Sequence, residues 1–404
     1  MTRPTVARID LAALKSNYRQ IVDSLGKGSG VVLSNDTQND PRPPPGVIAV
    51  VKANAYGHGA GQVGLALEDA GADLLACADI EEGAALREAG VRADILVFGA
   101  LSVSDLDGLF DCRLTPTIST PGAALAVQAA AEKYNQQVRY HLKIDTGMNR
   151  LGFRFDNLRR TLPELLASPN LDMDAVYTHF ATADDPESPL FNEQRLRFER
   201  ARDEITYGNR GAHKERGENE FSAGSATSAV SSPYLHAANS AALLRDSRVW
   251  YDRVRPGLLL YGIVPPPLAS TLSLTPIMTL GSRIVAVKGV RAGEGVGYGV
   301  KLIAEQPTTI AIVPAGYADG LDLRLAGRGS VLIRGRRAPI VGSVCMDMLM
   351  ADVTGLEVST GDEVVIIGSQ GADRIDVREM AAQIGTIPYE ILCRIGSRIE
   401  RVYA

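Results

Sequence analysis

Eight short apolar runs recur between residues 47 and 262, and this recurrence restricts the fold more than any other feature of the chain. They fall at 47–52, 73–78, 94–99, 114–118, 138–144, 173–179, 235–239 and 254–262. Each is nearly continuous rather than alternating, as a strand buried on both faces reads. Amphipathic stretches lie between most of them: Gln62–Ala70, Ile80–Ala89, Ser104–Phe110, Thr120–Tyr134, Asn157–Ala167 and Asn192–Ile205. Parallel strands need long crossovers, and helices supply them while covering the sheet. Eight such units predict a (β/α)8 barrel. The alternative is a doubly wound open sheet, but no G-x-G-x-x-G follows the first strand.

Pro265-Pro266-Pro267 marks the end of this pattern. Beyond it, β-like runs at 277–287, 309–313, 331–333, 338–344, 348–353 and 363–367 are split by Gly, Pro and Asp, and few helical patterns precede Val377–Ile384. The chain is therefore expected to be α/β, with an N-terminal barrel over residues 1–264 and a mostly-β domain over 265–404. Within the barrel half, Arg8–Leu11 and a helical Ala13–Leu25 pattern come first. Residues 26–46 and 207–232 are polar and Gly/Ser-rich, and read as surface insertions, the second as loop.

A net charge of −5 gives no basic footprint for nucleic acid or an anionic membrane. The opening Met-Thr-Arg-Pro-Thr-Val has no apolar signal core, and no apolar run approaches the ~18 residues that span a bilayer. Cys77, Cys112, Cys345 and Cys393 are far apart with no C-x-x-C pair. They read as reduced thiols of a cytoplasmic protein, not as a disulfide frame or a zinc site, with Cys393 buried.

The chemistry centres on residues 46–59. Lys52 follows the apolar run Val47–Val51 at once, at the strand end where barrels carry their active sites. An amine partly withdrawn from water has a lowered pKa and attacks aldehydes. Asn54, Gly57 and Gly59 form a loop that can approach a ligand closely, and Tyr56 adds a hydroxyl. Further along, Lys143-Ile144-Asp145-Thr146-Gly147-Met148-Asn149-Arg150 closes the fifth run, and His179 closes the sixth. Asn239-Ser240 opens a helix whose N-terminus can hold an anion. Arg255-Pro256-Gly257-Leu258 supplies the eighth-strand side of that pocket. Taken singly, Lys52 and Lys143 read as strand-end lysines, Arg150 as a surface arginine, His179 as structural, Ser240 as a helix cap and Tyr298 as a turn residue.

Together these motifs resemble the alanine racemases, in the expected order and over nearly all of the chain except the two insertions. The resemblance also rests on Gly297-Tyr298-Gly299, Gly316-Tyr317-Ala318-Asp319-Gly320, Cys345-Met346-Asp347 and Pro388-Tyr389-Glu390. It implies interconversion of L- and D-alanine, supplying D-alanine for peptidoglycan, with pyridoxal 5'-phosphate (PLP) held covalently by Lys52. It assigns the cofactor phosphate to Tyr56, Ser240, the backbone of Gly257 and Leu258, and Tyr389, with Asn239 beside them. Arg150 touches the phenolic oxygen and the substrate. Lys143 matches a lysine that is often carbamylated and then holds Arg150. Arg255 faces the pyridine nitrogen, with His179 orienting an arginine on that ring.

Racemisation needs a base on each face of the α-carbon. Lys52 serves one, and the resemblance gives the other to Tyr298 of the partner subunit, so that a homodimer shares its active sites. Tyr317 then lines the access channel beside Tyr389, the Met346 N–H meets the substrate carboxylate, and Asp347 orders the site. One position departs from the family pattern. An arginine expected three residues after Gly320 is Leu323, with Arg324 one place later. Three alternatives stay open: a broader serine/alanine racemase, a PLP-carrier protein without turnover, and a decarboxylase of basic amino acids. The β domain argues against the second; Tyr298 and Arg255 argue against the third.

Overall fold

The computed structural model describes residues 4–26, 43–101, 106–215 and 232–404. All eight apolar runs contain strands: Gly46–Val50, Leu74–Cys77, Asp94–Val97, Thr115–Ile118, Val138–Asp145, Leu171–Tyr177, Tyr234–Asn239 and Arg253–Arg255. Every pairing between neighbours is parallel. The ring closes where Thr117 and Ile118 meet His141 and Leu142. Because the strands are covered on both faces, residues such as Ile48, Leu75, Leu96, Leu142 and Val176 are wholly buried. The fold is thus a closed eight-stranded barrel followed by a mostly-β unit.

The eighth run is shorter as a strand than its sequence suggests. Pro256 has no N–H to donate, and the Gly257 N–H goes to the Ser240 hydroxyl instead of a neighbouring strand. The chain then turns, with Leu260 and Tyr261 bonding back to Gly257 and Leu258. Local caps start the helices that the sequence marks. Asp79 accepts from the Glu82 N–H, and Thr120 accepts from that of Ala123. The helix over 107–111 begins after residues 102–105, which lie outside the described residues.

Two boundaries differ from the sequence reading. Helix Leu190–Glu215 runs ten residues past Ile205 into the segment expected to be loop. An established helix adds one hydrogen bond for each residue it fixes, so it can propagate through a polar, Gly-containing stretch. The other end of that insertion, 216–231, and most of the first, 27–42, lie outside the described residues. The second difference is at the start. Val6–Ile9 belongs to the second sheet, antiparallel to Met278–Arg283 and parallel to Glu400–Tyr403. Thr5 extends this link, bonding the Ser282 hydroxyl at 2.8 Å and the Pro314 carbonyl at 2.7 Å.

The second sheet continues outward from Met278–Arg283 through Glu363–Gln370, Ser330–Ile333, Arg336–Val341, Leu349–Asp352 and Thr308–Val313 to Ala286–Val290. Helix Leu11–Gly26 then returns to the barrel. Its Asn17, fully buried, donates to the carbonyls of Leu260 (3.0 Å) and Thr275 (2.8 Å) and accepts from the Thr275 N–H (2.9 Å). Among the described residues no helix is long and apolar enough to cross a membrane.

Asn17 thus straps the first helix to the chain leaving the barrel. Asn17→Leu removes three hydrogen bonds and strands their buried partners, so a loss of roughly 3 kcal/mol is expected in denaturant unfolding. A loss below about 1 kcal/mol would show that the strap carries no weight.

Candidate active site

Lys52 leaves its strand into an unusual turn. Ala53, Asn54, Ala55 and Tyr56 all have φ between 52° and 53°, one turn of left-handed helix built without glycine. L-residues disfavour that region by about 1–2 kcal/mol each, so the surroundings must hold it. Glu82 does so with both oxygens, accepting from the Ala53 N–H at 2.6 Å and the Ala78 N–H at 2.8 Å. Asn54 accepts from the Ala60 N–H, and His58 bonds the Ala55 carbonyl, both at 2.8 Å. Gly57 sits against the Leu392 carbonyl, where a Cβ would approach to 2.2 Å. Arg401 donates to the Gly57 carbonyl at 3.1 Å. The last two contacts come from the second unit, which therefore clamps the lysine loop.

Around this turn the structure gathers Lys52, Lys143, Arg150 and Arg255. Burial, and then the nearby Arg150, lower the Lys52 amine below the ordinary lysine range. Lys143 is 6 % exposed and is pushed down to about 8, by burial first and then by Arg150, Arg255 and Lys52. Asp145 shapes the loop that carries Arg150, accepting from the N–H groups of Gly147 (2.9 Å) and Asn149 (3.1 Å). Arg150 itself is exposed. Arg255 is 3 % exposed and donates to the carbonyls of Thr178 and Ala237, both at 2.8 Å. It also meets His236 Nδ1 at 2.9 Å and His179 Nδ1 at 3.2 Å. A guanidinium only donates, so the proton of His179 rests on Nε2. Burial and the neighbouring cations hold His179 well below the usual histidine range.

The second cluster adjoins the first. Asn239, not Ser240, is the helix N-cap, accepting from the Ala242 N–H. Ser240 is free of that task, and its hydroxyl accepts from the Gly257 N–H at 2.8 Å. A Cβ on Gly257 would fall 2.4 Å from the Tyr56 hydroxyl, so only glycine leaves this cradle open. The Tyr56 ring leans on Tyr261 (5.0 Å) and Tyr389 (5.7 Å). Leu258 is wholly buried below. Burial raises the phenols of Tyr56 and Tyr389, the latter to about 12. The cations and this hydroxyl-lined cradle suit a small ligand with an anionic end and an electrophilic carbon that Lys52 can attack.

The second unit brings its own motifs together. The Tyr317 and Ala318 N–H groups bond the carbonyls of Cys345 and Met346 at 2.9 and 3.0 Å. Ser343 donates to the Tyr298 carbonyl at 2.7 Å. Arg398 joins Asp347 (2.6 Å) to Asp319 (3.6 Å). Tyr298, Met346 and Tyr317 remain 78 %, 52 % and 44 % exposed. Among the described residues no hydrogen bond links Tyr298 to Lys52. Arg324 forks onto Asp322 at 2.9 and 2.8 Å, and no bond joins it to Tyr298 among the described residues. Cys393, expected to be buried, is exposed; it sits at the end of helix Pro388–Arg394 close to Lys52, while Ile391 and Leu392 are buried.

Sequence reasoning did not find Glu82 or Gln194. Glu82 carried one signal, an acid in the first turn of a helix after a barrel strand. Gln194 is fully buried and ties Thr146, His179 and Ala181 together, which nothing in its helical context announces.

A lysine with a lowered affinity for protons at a barrel mouth, a cradle of hydroxyls and backbone N–H groups, and a β unit presenting tyrosines form the site. Residues 37–215 and 218–265 match the family model "Alanine racemase, N-terminal domain", and 277–403 match "Alanine racemase, C-terminal domain". An alanine racemase of Halothermothrix orenii is 38 % identical over 405 residues, covering 100 % of this chain and 97 % of its own. That of Carboxydothermus hydrogenoformans is 39 % identical over 407 residues, covering 99 % and 100 %. Among solved structures, the alanine racemase of D-cycloserine-producing Streptomyces lavendulae superposes with a TM-score of 0.86 at 32 % identity, covering 100 % of this chain and 98 % of that one. The Bacillus anthracis alanine racemase with bound L-Ala-P gives 0.84 at 32 %, covering 100 % and 96 %. The chain belongs to the alanine racemase family and is an isomerase.

The left-handed turn generates a direct test. Gly57 has φ +82° and no room for a Cβ. Gly57→Ala is expected to cost roughly 2 kcal/mol or more and to lower the denaturation midpoint. A variant with the wild-type midpoint would show that the turn can yield.

Proposed function

We propose that this enzyme interconverts L- and D-alanine with PLP as its cofactor, using Lys52 on one face of the α-carbon and the partner subunit's Tyr298 on the other. The observation that carries the reading is the Lys52 amine, lowered by burial and Arg150, beside the cradle of Tyr56, Ser240 and Gly257. When bound, PLP makes the α-hydrogen of an attached amino acid acidic by drawing electron density from the carbon. Everything else falls to side chains of the protein.

Lys52 would hold the cofactor and would take or return a proton on its face. The partner's Tyr298 does the same opposite, so each turnover inverts the centre. Tyr56, Ser240, the backbone of Gly257 and Leu258, and Tyr389 hold the phosphate, with Asn239 fixing the start of that helix. Arg150 faces the phenolic oxygen and the substrate carboxylate, which also meets the Met346 N–H. Tyr317 and Tyr389 line the access channel, and Asp347, tied by Arg398, orders the loop beside it. Arg255 would face the pyridine nitrogen, where a donor-only guanidinium cannot accept a hydrogen bond from a protonated ring nitrogen. Arg255 would thus favour a neutral pyridine nitrogen. His179 acts on Arg255, through its 3.2 Å contact, rather than on the substrate.

Lys143 fits carbamylation. Pushed down to about 8, its amine is partly neutral near physiological pH. The nitrogen can add to CO2, forming an N–C bond and releasing a proton to solvent. The new carboxylate would stand among Arg150, Arg255 and Lys52 and hold Arg150. The exposed set Tyr298, Val300, Ile303, Met346 and Met348 supports pairing with a second copy. The units 1–264 and 265–404 then divide the work, one holding the cofactor and the other reaching across. A cytoplasmic enzyme of this kind would supply D-alanine for peptidoglycan.

Incubation of L-alanine with protein and PLP, followed by chiral chromatography, should show D-alanine approaching an equilibrium ratio near one; none would overturn the reading. Tyr298→Phe should lower kcat by a factor on the order of 10²–10⁴ and keep the Lys52-bound cofactor chromophore. A fully active variant would remove Tyr298 from the reaction. With 13C-labelled bicarbonate, a carbamate signal is expected in the NMR spectrum and should vanish in Lys143→Arg. Its absence from the wild type would leave Lys143 as a plain amine.

A further inference from the structure

Among the described residues no carboxylate is bonded to Arg255, and a buried charge needs compensation. Its hydrogen bonds lead somewhere. Arg255 Nη1 lies 2.9 Å from His236 Nδ1. His236 Nε2 lies 3.0 Å from His141 Nδ1. His141 Nε2 lies 2.8 Å from the Tyr234 hydroxyl and 3.7 Å from Asp174 Oδ2. Arg255 ends its strand, whereas Tyr234 begins the neighbouring one. The chain therefore crosses the barrel interior from the mouth to the amino-terminal floor. His236 is wholly buried and His141 1 % exposed, while the Asp174 side chain is 32 % exposed.

The direction of every hydrogen follows from Arg255. A guanidinium only donates, so His236 Nδ1 accepts and its proton sits on Nε2. That proton faces His141 Nδ1, which must accept in turn. The proton of His141 is then on Nε2, aimed at the Tyr234 oxygen and the Asp174 charge. A second proton fits on neither ring. On His236 it would oppose the Arg255 N–H; on His141 it would oppose that of His236. Burial lowers both imidazoles in the same sense. Tyr177 fixes the plane of His236, stacked at 4.6 Å and 11°, and its own hydroxyl is tied to Thr117.

We propose that His236, His141, Tyr234 and Asp174 are positioning residues for the racemase reaction: a one-way hydrogen-bond relay runs from the guanidinium of Arg255 to the Tyr234 hydroxyl and lies within reach of the Asp174 charge on the opposite face of the barrel. Bonds aligned head to tail polarise one another. The Asp174 charge draws the His141 proton toward the floor, which makes each acceptor up the chain stronger. Arg255 is thereby held in place and its donor strength toward the cofactor is moderated. The proposal rests on the reading that Arg255 faces the pyridine nitrogen.

The test combines tautomers with a distant substitution. In 15N-histidine NMR of the protein, His141 and His236 should both carry their proton on Nε2. Asp174→Asn keeps the shape of a partly exposed side chain and removes only the charge. It should lower kcat about three- to tenfold, change KM for alanine by less than about twofold, and shift the absorption maximum of the bound cofactor. Asp174→Glu should restore much of both. A proton on Nδ1 of either ring, or Asp174→Asn with wild-type kcat and absorption, would overturn the relay. Arg255→Gln separates the two claims. If it leaves the absorption unchanged, the reading of Arg255 fails and the relay's role with it. If it moves the absorption while Asp174→Asn does not, the relay alone fails.

Discussion

The left-handed turn from Ala53 to Tyr56 is the constraint on which the site depends. Four L-residues hold a conformation that costs each of them free energy, and they do so between Lys52 and the cradle tyrosine. The turn survives because opposite parts of the chain close on it. Glu82 satisfies its first N–H from the barrel side, and Leu392 and Arg401 hold Gly57 from the other. Position of the amine and integrity of the joint between the two units are thus one property. A change in helix Pro388–Arg394 would be felt at Lys52 without touching it.

Charge is the second organising fact. Lys52 and Lys143 lie near enough to Arg150 and Arg255 for those cations to lower their amines, and none of the four is bonded to a carboxylate among the described residues. Such a cluster has an energy deficit that an anionic ligand offsets. Phosphate, phenolate and amino acid carboxylate are all anions of the kind this mouth would take.

The sequence displayed the barrel because buried parallel strands leave continuous apolar runs, and the crossover helices leave a different period. Lys52, Arg255, Ser240 and Tyr389 were legible as motifs. Their geometry was not. No pattern at Ala53-Asn54-Ala55-Tyr56 announces a left-handed turn, since its support comes from residues 82, 392 and 401. Val6–Ile9 looks like any strand, and its sheet is chosen by partners more than 260 positions away. Cys393 reads as core because its neighbours are apolar, yet it is exposed close to Lys52. The histidines of the barrel axis were silent for the same reason: a relay is a relation between strands, and each strand shows only one of its members.

The placement of Val6–Ile9 also bears on how the protein is made. This strand leaves the ribosome well before both of its neighbours, Met278–Arg283 and Glu400–Tyr403. At roughly 5–20 residues per second, translation leaves it waiting for tens of seconds. During that interval its backbone edges are open to any other strand. The barrel can close while the first strand is still unpaired. The sheet that fixes the lysine loop is completed only when Glu400–Tyr403 arrives, so the nascent chain can hold a formed barrel well before it holds a complete lysine loop.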